Sequence, residues 1–224
     1  MNRHLITGRM MAAVLVPLLF LLVMSFHYIP KLLHEVIGLL WLAAVMVHIR
    51  QNKGWFKAMG KGRWNIFRGL NTLVDLSLLV VLFVTVLTGT GISNFIFKEI
   101  MPLDIQRSIM VHQLHVSLPY AMLILIGLHW GLHFNGWLRQ WQQGLGFDLS
   151  KRWARIFGLL AGVLTVAVGI YGSLLNRIGD RLLLKHIFAT EATSEPWAIY
   201  VILLIGIMGI YVLVGALVRK LLLR

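Results

Sequence analysis

The 224-residue chain contains no cysteine. That absence excludes a thiolate zinc site, an iron–sulfur cluster, covalent haem attachment through C-x-x-C-H, a disulfide and a cysteine nucleophile. Any metal must be held by His, Met or carboxylate. Acidic residues are scarce, eight against 21 Lys plus Arg, and charged residues make up 13% of the chain. An average globular chain carries ~25%. That shortfall, with 58% hydrophobic residues and a mean hydropathy of +0.81, excludes disordered and collagen-like classes and leaves no soluble domain.

What the chain has instead is long apolar runs. Six stretches, roughly 10–28, 31–49, 70–94, 108–134, 154–176 and 197–218, can each cross a ~30 Å hydrocarbon core at about 1.5 Å rise per residue. The first follows Arg3 and Arg9 as a signal peptide would, but it ends Met24-Ser25-Phe26-His27-Tyr28 and not in small residues, so it reads as a retained helix. Only Tyr28 to Lys31 separate the first two spans, with Pro30 closing a tight antiparallel hairpin. Fifteen of the 21 basic residues lie before span one, between Arg50 and Arg68, between Arg139 and Arg155, or from Arg219 on. The positive-inside rule therefore puts both termini in the cytoplasm, and the net charge of +13 reads as a topology signal with no nucleic-acid partner.

Ionisable groups inside a bilayer are costly, and by default they suggest function. Of nine histidines, six lie in or at the ends of spans two and four. His34 and His48 are 14 residues apart, which leaves them on one helix face about 21 Å apart along the axis. His115 and His129 repeat that spacing, and the two spans run in the same direction. His112 with His129 is about 100° off the face, and His115 with His133 is separated by about 27 Å of rise. Two equal spacings on two parallel helices pair His34 with His115 and His48 with His129, one pair near each membrane surface. This is the ligand pattern of two b-type haems, in which neutral imidazoles are the axial ligands and two irons about 20 Å apart let an electron cross the membrane in steps. Gly38, Gly127 and Gly131 on these helices, with Gly89 and Gly91 on span three, allow a macrocycle or a neighbouring backbone to approach.

Taken together, the residues resemble a known family. His34-Glu35-Val36-Ile37-Gly38-Leu39 through His48-Ile49-Arg50-Gln51-Asn52-Lys53-Gly54-Trp55 resembles the H-x-x-x-G…H-x-x-x-N-x-x-W signature of the flavinylation-associated cytochromes. Thr88-Gly89-Thr90-Gly91-Ile92-Ser93 resembles that family's glycine-serine ending of helix three, and His115…Tyr120…Gly127-Leu128-His129-Trp130 its helix four. The match covers about residues 10–140 and leaves spans five and six outside it. The resemblance implies a four-helix cytochrome b-like bundle in a prokaryotic cytoplasmic membrane, with His34, His48, His115 and His129 as haem ligands. It also implies electron exchange between membrane quinones and an exported flavin- or metal-containing redox protein.

The expected architecture is thus an all-α integral membrane protein with six transmembrane helices, a haem-binding bundle over 1–145 and two additional helices over 146–224. Lys31 and Arg107 are candidate propionate partners near the outer haem, and Arg50, Lys53 and Arg139 near the inner one. His112 and His133, one turn beyond a ligand, either bond a propionate, serve a quinone or substitute as ligands, or else face solvent and headgroups. A zinc site at His129-x-x-x-His133 has no evident acidic third ligand in sequence. Asp75 either accepts quinone-linked protons or pairs with Arg68 or Arg63, and Glu35 reads as a first-turn interfacial acid. Pro119 is expected to bend helix four, either setting the haem slot or serving packing alone. With no flavin-binding domain of its own, the chain is expected to act as an electron-transfer subunit, passing electrons from quinol outward. The competing classes are a histidine-lined cation transporter, which needs polar groups at midplane, and a membrane anchor for a partner protein.

Overall fold

The computed structural model describes residues 3–145, 152–185 and 188–223, and these are helical with no strand among them. Helix α1 (Arg3–Met24) ends in a 3-10 turn over Phe26–Tyr28, and Pro30 opens α2 (Lys31–Gln51), so the expected hairpin is present. A short α3 (Gly54–Met59) precedes α4 (Ile66–Gly91), which is capped by the Asn65 side chain accepting from the Arg68 N–H at 2.8 Å. After α5 (Leu103–Gln106) comes α6 (Ile109–Leu145), 37 residues long and continuous through Pro119. Then follow α7 (Arg152–Leu175), α8 (Ile178–Leu182) and α9 (Trp197–Leu222), the last again opened by a proline, Pro196.

Among the described residues five helices are long and apolar enough to cross a membrane: α2, α4, α6 over Ile109–Arg139, α7 and α9. Helix α1 differs, because its apolar described part, Gly8–Met24, is shorter than the other five. Exposed Trp153, Phe157, Leu159, Leu160 and Leu164 on α7 have no protein cover, as expected where lipid is the solvent. The chain is therefore a multi-pass, all-α membrane protein.

Helix α6 is the hub of the packing, with α9 along one side and α4 along another, while α7 lies on α9 and α2 lies on α1. Small residues explain the closest pair. A Cβ added at Gly127 would strike the Met208 carbonyl, one at Gly131 the Val212 carbonyl, and one at Gly215 the Leu128 carbonyl. Without hydrophobic driving force between helices in lipid, such backbone proximity supplies the van der Waals contact that holds them together. Gly169 and Gly206 do the same for α7 and α9. Around this contact Phe20, Trp41, Tyr120, Leu123, Tyr200, Leu204 and Ile207 form the buried core. Since α2 packs on α1 and α6 on α4 and α9, space remains between α2 and α6, and the histidine pairs stand in it.

Candidate metal centres

The four histidines paired by spacing meet in two pairs. His34 and His115 have ring centres 6.2 Å apart with planes at 88°, and His48 and His129 have centres 6.5 Å apart at 79°. Metal–imidazole bonds are about 2 Å and the ring centre lies roughly 1.1 Å behind the bonding nitrogen, so two imidazoles trans across one ion have centres about 6.3 Å apart. On a tetrahedral ion the same rings would be about 5 Å apart. Both separations match two imidazoles on opposite sides of one ion, and His34 with His115 and His48 with His129 are the residues that would hold it.

Hydrogen bonds on the far side of the rings agree. His34 Nδ1 lies 3.1 Å from the Val23 carbonyl, one of the last carbonyls of α1, which have no partner within their own helix. His115 Nδ1 lies 3.1 Å from the Thr85 carbonyl on α4, and His129 Nδ1 lies 2.7 Å from Asp75 Oδ1. Carbonyls and carboxylates only accept, so each Nδ1 donates, which leaves Nε2, on the ring edge away from these partners, as the nitrogen able to bind a metal. His48 Nδ1 is buried and has no hydrogen-bond partner.

The glycines divide by what they touch. A Cβ at Gly89 would lie 2.6 Å from His115 Cε1, so this glycine gives the imidazole room to reach Thr85, one turn back on the same helix. Gly91 packs on Ile105, and Gly127 and Gly131 receive the backbone of α9 instead of a macrocycle. Only Gly38 both borders open space, with nothing within 4 Å of an added Cβ, and lines the cavity at the first histidine pair. That cavity of about 400 Å³ runs between α1, α2, α4 and α6 and contains His34, His115, His112, Trp41 and Pro119.

Several acids and cations sit elsewhere than the sequence suggested. Asp75 pairs with His129 and not with Arg68 or Arg63, because Arg68 is already committed to the carbonyls of Ala58 (2.6 Å), Met59 (3.1 Å) and Arg63 (3.3 Å). Glu35 is more than an interfacial acid. Its carboxylate accepts from Ser93 Oγ and the N–H groups of Asn94, Phe95 and Ile96, fastening the segment after α4 beside His34. Lys31 lines the cavity but Arg107 does not, and the side chains of Arg50, Arg107 and Arg139 make no hydrogen bond or ion pair among the described residues.

His112 lines the cavity with Nδ1 3.0 Å from the Ser108 carbonyl, and His133 stacks on His129 at 4.9 Å. Asp75, His129 and His133 together are compact enough to hold a metal ion, so an acidic third ligand does stand near the His129-x-x-x-His133 pair. Its existing bonds suit other roles. The 2.7 Å between Asp75 and His129 is a hydrogen bond, shorter than the separation of two ligands on one ion, and His133 Nε2 accepts from Asn71 Nδ2 at 3.3 Å.

Two arginines that sequence reading did not single out lie near these centres. Arg181 of α8 is buried and lines the cavity, where desolvation first and then its cation hold the His27 ring below the ordinary imidazole range. Arg219 of α9 donates to the Leu132 carbonyl at 2.9 Å, next to His133. Comparison of the chain with protein-family models, with curated proteins and with solved structures found no match.

Proposed function

We propose that the chain is a membrane di-haem b-type cytochrome that passes electrons between the quinone pool and an exported flavin- or metal-containing redox partner. The observation that carries this reading is the pair of opposed imidazole sets, at 6.2 and 6.5 Å, on two helices that leave space between them. In this reading α1 is a sixth spanning helix, both termini are cytoplasmic, and His34 and His115 lie toward the outer surface with His48 and His129 toward the inner. Bound there, two haems supply one-electron carriers at two depths of the membrane.

The chain's own residues supply everything else. Val23, Thr85 and Asp75 hold three imidazoles with Nδ1 donating, and Trp41, Val116 and other apolar side chains line the His34–His115 cavity. The bilayer-spanning surface of α4 and α6 gives quinone lateral access to the inner pair, and Asp75 and His133 there are the groups able to exchange its protons.

A pyridine haemochrome assay on purified protein tests the proposal, with two non-covalent haems per chain expected. One per chain rejects the di-haem count, and a colourless protein from haem-replete cells rejects the cytochrome. The Asp75–His129–His133 group favours one second reading, an inner-side divalent-cation site. Elemental analysis showing one stoichiometric zinc without iron would establish that reading instead.

A further inference from the structure

The cavity at His34 and His115 contains a cation that the helix-spacing argument does not use. Arg181 is 1% exposed, yet among the described residues no carboxylate lies within ion-pair distance of it. The nearest acid in sequence, Asp180, is paired with Arg177 at 2.7 Å. Arg181 Nε donates to the Asn176 carbonyl at 3.1 Å and Nη2 to the Phe188 carbonyl at 3.2 Å, while the guanidinium carbon sits 4.5 Å from the centre of the Tyr120 ring. These neutral partners orient the group without neutralising it, and a buried charge without a counter-ion is costly. The backbone is also strained to place it there. Arg177 (φ 52°) and Leu184 (φ 56°), both left-handed and neither glycine, bracket the single turn of α8.

The remaining charges of the cavity set the sign of what it accepts. Lys31 contributes a second cation, and the one carboxylate, Glu35, already accepts four hydrogen bonds. His27, His34, His112, His115, Tyr120 and Tyr200 complete the titratable lining, with the two ligand rings neutral in the tautomer described above. Most of the other walls are apolar. The cavity therefore suits a largely apolar molecule with carboxylate arms.

We propose that Arg181 is the anchor for a carboxylate of the cofactor held by His34 and His115, a haem propionate, with Lys31 facing the second arm. This rests on the di-haem reading and adds to it a specific role for the loop between α7 and α9, which lies outside the four-helix resemblance. A charge-assisted, bidentate-capable contact in a dry site is worth roughly 10- to 100-fold in affinity.

The test separates charge recognition from loop structure. Full-length protein and its Arg181→Gln and Arg181→Lys variants are purified with haem, and the His34–His115 site is refilled by exchange against protohaem or its uncharged dimethyl ester. Arg181→Gln should bind protohaem about 10- to 100-fold more weakly than the unchanged chain. Arg181→Lys should recover most of that loss, and all three proteins should hold the dimethyl ester alike. The absorption of the His48–His129 haem should be unchanged throughout, reporting an intact fold. Equal weakening for haem and ester, loss of both haems in Arg181→Gln, or undiminished protohaem binding in that variant would each overturn the anchor and leave the cytochrome intact. An unchanged chain that takes up no haem at all would overturn the proposed function, and the anchor with it.

Discussion

His115 and His129 sit at equivalent positions 14 residues apart, yet their Nδ1 atoms donate to different acceptors: a backbone carbonyl for His115 and a carboxylate for His129. A carboxylate draws the proton more strongly, makes the imidazole a better electron donor to a bound metal and favours the oxidised state. Asp75→Asn is therefore expected to raise the midpoint potential at the His48–His129 site and leave the other unchanged, as read by potentiometric titration. A fall, or an equal shift at both sites, would contradict it. Gly89→Ala should act on the opposite pair, since its methyl would occupy the place of His115 Cε1. The expected result is one haem per chain by pyridine haemochrome, with the His48–His129 spectrum retained. The pairing of the four histidines was legible because a 14-residue spacing preserves helix face without knowledge of any neighbour. The acceptors were not, because Asp75 and Thr85 reach their histidines only through the register of α4 on α6, which no local pattern encodes.

Helices were legible from apolar run length, and the observed bounds of α2, α4, α6, α7 and α9 follow the expected spans with extensions into polar flanks such as Gln51 and Arg152. Which helices touch was not legible, since lipid-facing and helix-facing surfaces are equally apolar. Two glycines illustrate this: Gly38 of α2 and Gly131 of α6 look alike in sequence, but one borders a cavity and the other meets the α9 backbone. That difference gives a paired expectation. Gly131→Leu forces α6 and α9 apart, and overpacking of this kind costs about 1–3 kcal/mol, more where backbone is the obstacle. Its thermal unfolding in detergent should shift clearly downward. Gly38→Leu should leave the unfolding midpoint within error but displace haem from the His34–His115 site alone. If both variants unfold alike, Gly38 is a packing residue and the cavity has been misassigned.

Across the whole molecule the two sites differ in a consistent direction. In the proposed cytochrome the carboxylate bonded to His129 would make the His48–His129 site the more reducing, while the carbonyl-bonded rings and the two nearby cations, Lys31 and Arg181, would stabilise added electrons at the His34–His115 site. On that proposal, electron movement from the Asp75 end to the Arg181 end is downhill. The proposed soluble partner would dock at the Arg181 end, where Glu35 fixes the segment from Ser93 to Ile96 one residue from His34. In the proposed orientation, which rests on the positive-inside distribution, that end faces outward. Protein reconstituted in liposomes with quinol should therefore reduce an impermeant acceptor at the 95–107 face faster than one at the Arg50–Arg68 face. The asymmetry should shrink in Asp75→Asn, whose two sites lie closer in potential. Equal rates at the two faces, or none until a donor is supplied at the Arg50–Arg68 face, would refute outward flow from quinol.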